Sequence, residues 1–184
     1  MTVNEIFAKI NNHMFEGIML HDQLASYYDF LDLAGYKRCH KYHVQDEMNA
    51  RRKLLEYYTC HYGYAVPEAQ AADPHIIPAN WNGHTRSDVD AKTKQRAVRD
   101  GFSHWHEWGK STKKLYENAY KELFELGEVA AAMRIGKLIE DVDCELKDLE
   151  KETLKLASID YDLCYIYECQ HEIHKKYKRM MKGD

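Results

Sequence analysis

A few ionisable side chains interrupt the hydrophobic faces of this chain from within. His21 falls in line with Ile10, Met14, Ile18, Ala25 and Tyr28; His43 and Glu47 fall in line with Cys39, Ala50 and Leu54; Glu140 and Asp143 flank Ile139. Taking an unpaired charge out of water costs several kcal/mol, so imidazoles and carboxylates in such places pair with one another, lose their charge, or hold a cation. Glu107, beside His104 and His106, lies about one residue off the line through Trp105, Trp108, Thr112 and Leu115, at the margin of a further face. The candidate ligands are therefore His21, His43, Glu47, Glu107, Glu140 and Asp143, a mixture of imidazole and carboxylate that suits Fe, Mn or Zn better than Mg or Ca. Each has a blander explanation. His21 and His43 could be core histidines satisfied by single hydrogen bonds, with His43 paired only to Glu47. Glu140 and Asp143 could belong to a helix that is acidic all round, since Asp141 and Glu145 stand next to them.

These residues need elements to carry them, and the helix breakers mark where those elements end. All three prolines (Pro67, Pro74, Pro78) share one window, while Gly35, Gly63 and Gly127 sit where the apolar periodicity lapses. Spacings of three and four predict helices over about residues 3–33, 36–62, 88–126, 128–157 and 159–182. Ser87-Asp88-Val89-Asp90 resembles a capping box at the start of the third, and Ser158 or Asp160 is available to cap the fifth. No Pro or Gly separates the last two, so two helices and one bent rod both fit. The short joint after Ala34 makes the first pair antiparallel. The stretch from about 64 to 86 is long for a compact domain. Extended, it reaches up to ~75 Å, whereas a 28-residue helix is only ~42 Å long, so a crossover along the whole bundle is the economical reading.

The composition is that of one domain spanning 1–184, with 45% hydrophobic residues to form a single core. No secretory signal and no apolar run of ~20 residues is evident, which predicts a soluble, cytoplasmic protein with no membrane contact. Five widely spaced cysteines, with no C-x-x-C pair, read as reduced thiols. A net charge of -4 excludes a general nucleic-acid binder. Lys175, Lys176, Lys178, Arg179 and Lys182 nevertheless make a basic end, read first as a solvated helix terminus. Phosphate-binding loops, nucleophile elbows and H-E-x-x-H are missing; Glu168-Cys169-Gln170-His171 supplies one isolated E-x-x-H. Fourteen tyrosines, several on helices, suit core edges or an interface, and Trp81 between two asparagines could plug the bundle end or mark a binding surface.

Val44-Gln45-Asp46-Glu47-Met48 followed by Arg52-Lys53-Leu54-Leu55-Glu56-Tyr57-Tyr58 resembles the second helix of bacterial ferritins, where a metal-binding Glu opens an E-x-x-H motif. Ala25-Ser26-Tyr27-Tyr28, the short joint and the crossover after Gly63 follow at similar spacing, so that the likeness covers roughly residues 5 to 155. The resemblance implies an all-α fold: a ferritin-like four-helix bundle with a long crossover between helices two and three, plus a C-terminal fifth helix. It implies further that Glu47 matches the bridging glutamate, Glu107 a glutamate of helix three, and Glu140 and Asp143 the paired polar positions of helix four. Two family ligands are replaced: Ala50 stands where the E-x-x-H histidine would be, and Met14 where helix one would present its glutamate. His21 and His43 are positioned to substitute, giving a degenerate or rearranged di-metal site.

Two functions follow from the same scaffold. One is a metalloprotein holding one or two transition ions in the bundle core. The other is a non-enzymatic module, forming a homo-oligomer or binding a protein or nucleoprotein partner through the crossover loop, the tyrosine-rich faces or the basic C-terminal helix. A phage or mobile-element inhibitor of a host defence complex, anti-CRISPR-like, is an example of the latter.

Overall fold

The computed structural model describes residues 1–66, 68–69, 85 and 89–180. Five helices run in order: α1 Val3–Phe30, α2 Ala34–Tyr62, α3 Ala91–Glu125, α4 Val129–Ser158 and α5 Leu163–Met180, with no strand among the described residues. Trp81, the three prolines, and Ser87 and Asp88 lie outside them. At the first helix, Thr2 accepts a hydrogen bond from the Glu5 amide while the Glu5 carboxylate accepts one from the Thr2 amide, a reciprocal cap. α3 starts at Ala91 because Asp90 accepts the Thr93 amide at 2.7 Å. Gly63 and Gly127 close α2 and the α3–α4 joint in left-handed conformations (φ 72° and 80°) that side chains resist. Between α4 and α5 the break is made without Gly or Pro. Asp160 and Tyr161 themselves turn left-handed, and Asp162, rather than Ser158 or Asp160, caps α5 by accepting from the amides of Cys164 and Tyr165.

Pairings across the helices fix their directions. α1 meets α2 through Asn4 with Tyr58, Asn11 with Arg51 and His21 with His40, and meets α3 through Met1 with Glu122, His13 with Thr112 and Tyr28 with Ala97. Both partners run opposite to α1 and therefore parallel to each other. The segment joining Tyr62 to Ala91 consequently starts and finishes at opposite ends of the bundle. α4 returns antiparallel to α3, with Trp105 on Glu145 and Lys113 on Asp143.

α1 packs along α2 and α3 along α4, while α5 covers the first part of α2. At that crossing Gly35 is required, because a Cβ there would overlap the backbone carbonyl of Gln170. The backbones of α2 and α4, by contrast, stand further apart and meet through side chains, leaving clefts along the seam between them.

The interior has two apolar clusters. The lower one joins Ile6, Phe7, Ile10 and Met14 to Leu54, Tyr58, Leu123 and Ile135. The upper one joins Leu20, Leu24 and Tyr28 to Tyr36, Phe102, Leu149 and Ile166 of α5. Between them the inward positions of three helices are polar: His21 on α1, His43 and Glu47 on α2, Glu145 on α4.

Candidate metal centre

His21 lies on the buried face of α1, one turn from Gly17 and from Leu24 and Ala25, and is fully enclosed. Its Nδ1 is 2.8 Å from Nδ1 of His40, also enclosed. Two neutral imidazoles sharing that contact must adopt opposite roles, one donating N–H and one accepting. His40 and His43 stand one turn apart on α2, and the rings of His21, His40 and His43 pack around the edge of Trp105, whose centroid lies 4.6 to 5.3 Å from theirs. Trp105 Nε1–H donates to Glu145 Oε1 at 2.7 Å, and the same oxygen lies 3.7 Å from His43 Nδ1. On its far side His43 Nε2 faces the Tyr177 hydroxyl at 3.4 Å, so α5 closes the outer wall.

One ligand atom each from His21, His43 and Glu145 lie within 4.8 Å of one another. Bonds of about 2.0–2.2 Å place neighbouring ligands of a single ion roughly 3–3.5 Å apart, so the three could close on one ion by moving about an ångström. Glu47 lines a small cavity with Glu145, Trp105 and Thr112, beside Trp108 and Gly109, with room for one small occupant of about 10 Å³.

The electrostatics describe a site balanced for a cation. Burial holds all three histidines well below the usual imidazole range, His43 at about 3, where Lys176 adds to the effect. They are neutral and carry lone pairs. Burial raises Glu47 to about 8, with Glu145 and then Asp46 adding repulsion, and raises Glu145 to about 6 against the hydrogen bond from Trp105. Without a cation, Glu47 thus holds a proton at neutral pH that a metal ion would displace, while Glu145 is largely ionised.

Of the residues singled out in the sequence, Glu47 lines the small cavity beside Glu145, and His21 and His43 are brought together with that carboxylate. Glu107 is not: two positions on from Trp105 is 200° around α3, and its carboxylate is 68% exposed against Lys110. Asp143 is likewise 200° from Glu145 and forms a 2.6 Å ion pair with Lys113, which lowers its pKa. Glu140 lies 140° from Glu145 and is exposed. The α4 carboxylate at the cluster is Glu145, which the sequence reading treated as evidence of an all-round acidic helix. Its place on the line Leu138, Val142, Glu145, Leu149 is the signal that identifies it, just as Tyr36, His40, His43 and Glu47 form one line on α2.

No family pattern matches the sequence, and no curated protein matches it. Solved structures do match in fold. A closed form of the Archaeoglobus fulgidus ferritin, engineered by site-directed mutagenesis, superposes with TM-score 0.77 at 16% identity, covering 95% of this chain and 96% of that one. The open-pore ferritin of the same hyperthermophilic archaeon gives 0.75 at 16% identity (92% and 93%), and a humanized archaeal ferritin 0.76 at 14% (95% and 97%). At identities this low the likeness shows the fold alone.

Proposed function

Proceeding from a ferritin-like fold, we propose that the protein binds a single transition ion through His21, His43 and Glu145, with Glu47 as a further carboxylate at its side. Convergence of the three ligand atoms from three helices at mid-depth carries this reading. Two imidazoles and one carboxylate are the donor set of mononuclear non-haem iron sites with open coordination positions, and also of some zinc sites. Fe, Mn and Zn are therefore the ions to test, with iron first on the fold. With His21 donating Nδ1–H to His40, its Nε2 keeps the lone pair a metal needs, and His40 orients the ring. When bound, such an ion supplies Lewis acidity or, for iron and manganese, a one-electron couple. The protein's part is to present neutral imidazoles, keep Glu145 aligned through Trp105, and take up or release the proton of Glu47.

The test is elemental analysis of protein purified without a histidine tag, paired with melting curves before and after chelator. One ion per chain and a melting point that falls on chelation are expected, since a ligand bound by the folded state alone stabilises it. Glu145→Gln should lose the ion and Glu107→Gln retain it. An ion retained at full occupancy by Glu145→Gln places the site elsewhere.

A second reading, an interaction module, draws on a different observation. Phe124, Leu126, Val129 and Met133 are all about half exposed or more around the α3–α4 joint, a concentration of apolar surface at one end of the bundle. Self-association through this end would appear as a concentration-dependent mass in light scattering that Met133→Asp abolishes. Among the described residues no helix is long and apolar enough to cross a membrane.

A further inference from the structure

The open seam between α2 and α4 widens beside α5 into a groove of about 820 Å³, within the range of about 300–1,000 Å³ typical of small-molecule sites. Its floor includes His43 and Glu145, so it ends at the proposed metal centre. Its walls are aromatic, with Tyr42, Phe102, Trp105, Tyr165 and Tyr177, and its rim is predominantly acidic; two lysines also line it, Lys155 paired with Glu152 and Lys176 over the Tyr177 ring.

The acidic groups differ in how their charge is met. Asp148, Glu152 and Glu172 have lysines of their own helices at 2.8 to 3.7 Å. Asp46 of α2, Asp141 of α4 and Glu168 of α5 have no ion-pair partner within 4 Å among the described residues; Asp46 and Asp141 oppose each other across the seam next to Glu145, with Lys53 and Lys137 lining the adjoining cleft. With Glu145 beside them, the acids lining the groove outnumber its two lysines and leave a net negative field where it meets the centre. An occupant that satisfies both features needs a positive group for Asp46 and Asp141 and an apolar, preferably aromatic, body for the tyrosine and tryptophan walls, where cation–π contact adds to the ion pair.

We propose that this groove binds a small organic cation, an arylalkylammonium or similar amine, and presents it to the open side of the His21, His43 and Glu145 centre. Its role as the substrate site rests on the metal reading; its binding of the cation does not. The geometry makes the metal centre one that acts on an organic molecule held beside it.

Three probes of one shape separate charge from bulk: 2-phenylethylammonium, 2-phenylethanol and phenylacetate, titrated calorimetrically into metal-free protein at low ionic strength. The ammonium should bind one per chain, about tenfold more tightly than the alcohol, and phenylacetate should not bind detectably. Asp46→Asn with Asp141→Asn should weaken the ammonium about tenfold and leave the alcohol unchanged. That variant removes a repulsion, so it should fold and melt no lower than the parent, which keeps the comparison interpretable. Equal binding of all three probes, or unchanged ammonium affinity in the double variant, overturns the proposal. So does a dimer whose dissociation the ammonium leaves untouched, since the groove would then be filled by a second copy. In cobalt-loaded protein the ammonium should shift the visible bands of the metal, and bands that stay fixed on saturation overturn the placement beside the centre. Failure to load cobalt removes the metal reading while the calorimetry still decides the groove.

Discussion

The two halves of the bundle are built from the same four helices and solve burial in opposite ways. In the lower half Phe7 packs against Tyr57, Tyr58 and Tyr62, the small side chains of Ala131 and Ala132 let α4 approach, and the hydroxyls of Tyr58 and Tyr62 find Asn4 and Glu128, while that of Tyr57 is buried without a hydrogen-bond partner. At the waist, by contrast, the imidazoles of His21 and His40 are fully enclosed and the carboxylates of Glu47 and Glu145 half-buried, where a hydrocarbon core would serve stability better. The apolar core thus runs through both halves, the titratable cluster lies at the waist, and α5 is found only above, where Tyr177 meets His43.

The contrast breaks most sharply at Phe7, which is completely buried. Phe7→Ala should cost about 3–5 kcal/mol in urea unfolding while leaving metal stoichiometry intact, because the cavity opens far from the waist. Gly35→Ala acts on the opposite half: the new methyl displaces the Gln170 backbone, at a cost of about 1–3 kcal/mol. Amide exchange should then accelerate in α5 and leave α1 residues 6–14 protected.

Removing only the hydrogen bond behind His21 sharpens the comparison. His40→Leu leaves a buried imidazole nitrogen without its partner, for about 1–3 kcal/mol, and should weaken metal binding about 10–100-fold by freeing the ring to turn. A lower-half change of the same cost should not touch the affinity.

The waist should also give the metal-free protein a stability maximum near pH 6.5. Below that, the unfolded chain protonates histidines that His21, His40 and His43 keep neutral when folded, so stability falls as pH falls. Above it, Glu47 remains protonated in the fold to about 8 while the unfolded acid ionised near 4.5, so stability falls as pH rises towards 8. Between 4.5 and 6.5 the two acids oppose the histidines, three groups against two. Melting curves from pH 5 to 8 check this, and the metal-loaded protein should lose the alkaline decline. The smallest effect belongs to the surface: Asp143→Asn breaks the partly exposed Lys113 pair and should leave the melting curve and the metal content essentially unchanged.

Helix order and the antiparallel α1–α2 pair were legible because three- and four-residue spacing and Gly63 and Gly127 are strong local signals. His21, His43 and Glu47 were legible for the same reason, as polar groups on otherwise apolar lines. Glu145 was hidden by phase. The stripe Val129, Met133, Gly136, Ile139, Asp143 is the more hydrophobic in residue type, yet Val129 and Met133 are exposed, and α4 buries Ala131, Ala132, Ile135 and Leu149 instead. Small alanines mark a face by close approach, which a hydrophobicity count underrates, and a shift of one residue rotates every carboxylate by 100°. His40 and Trp105 acquire their roles only from pairings between distant helices, which no local window contains.

The direction of the helices has a kinetic consequence. α1–α2 and α3–α4 are each hairpins closed by short joints, able to form from contacts near in sequence, whereas their union must wait for the long connection to bring the ends together. His21 and His43 belong to the first hairpin, Trp105 and Glu145 to the second. Neither half alone offers a complete set of ligands, so uptake of an ion would time the last event of folding, the docking of one hairpin on the other.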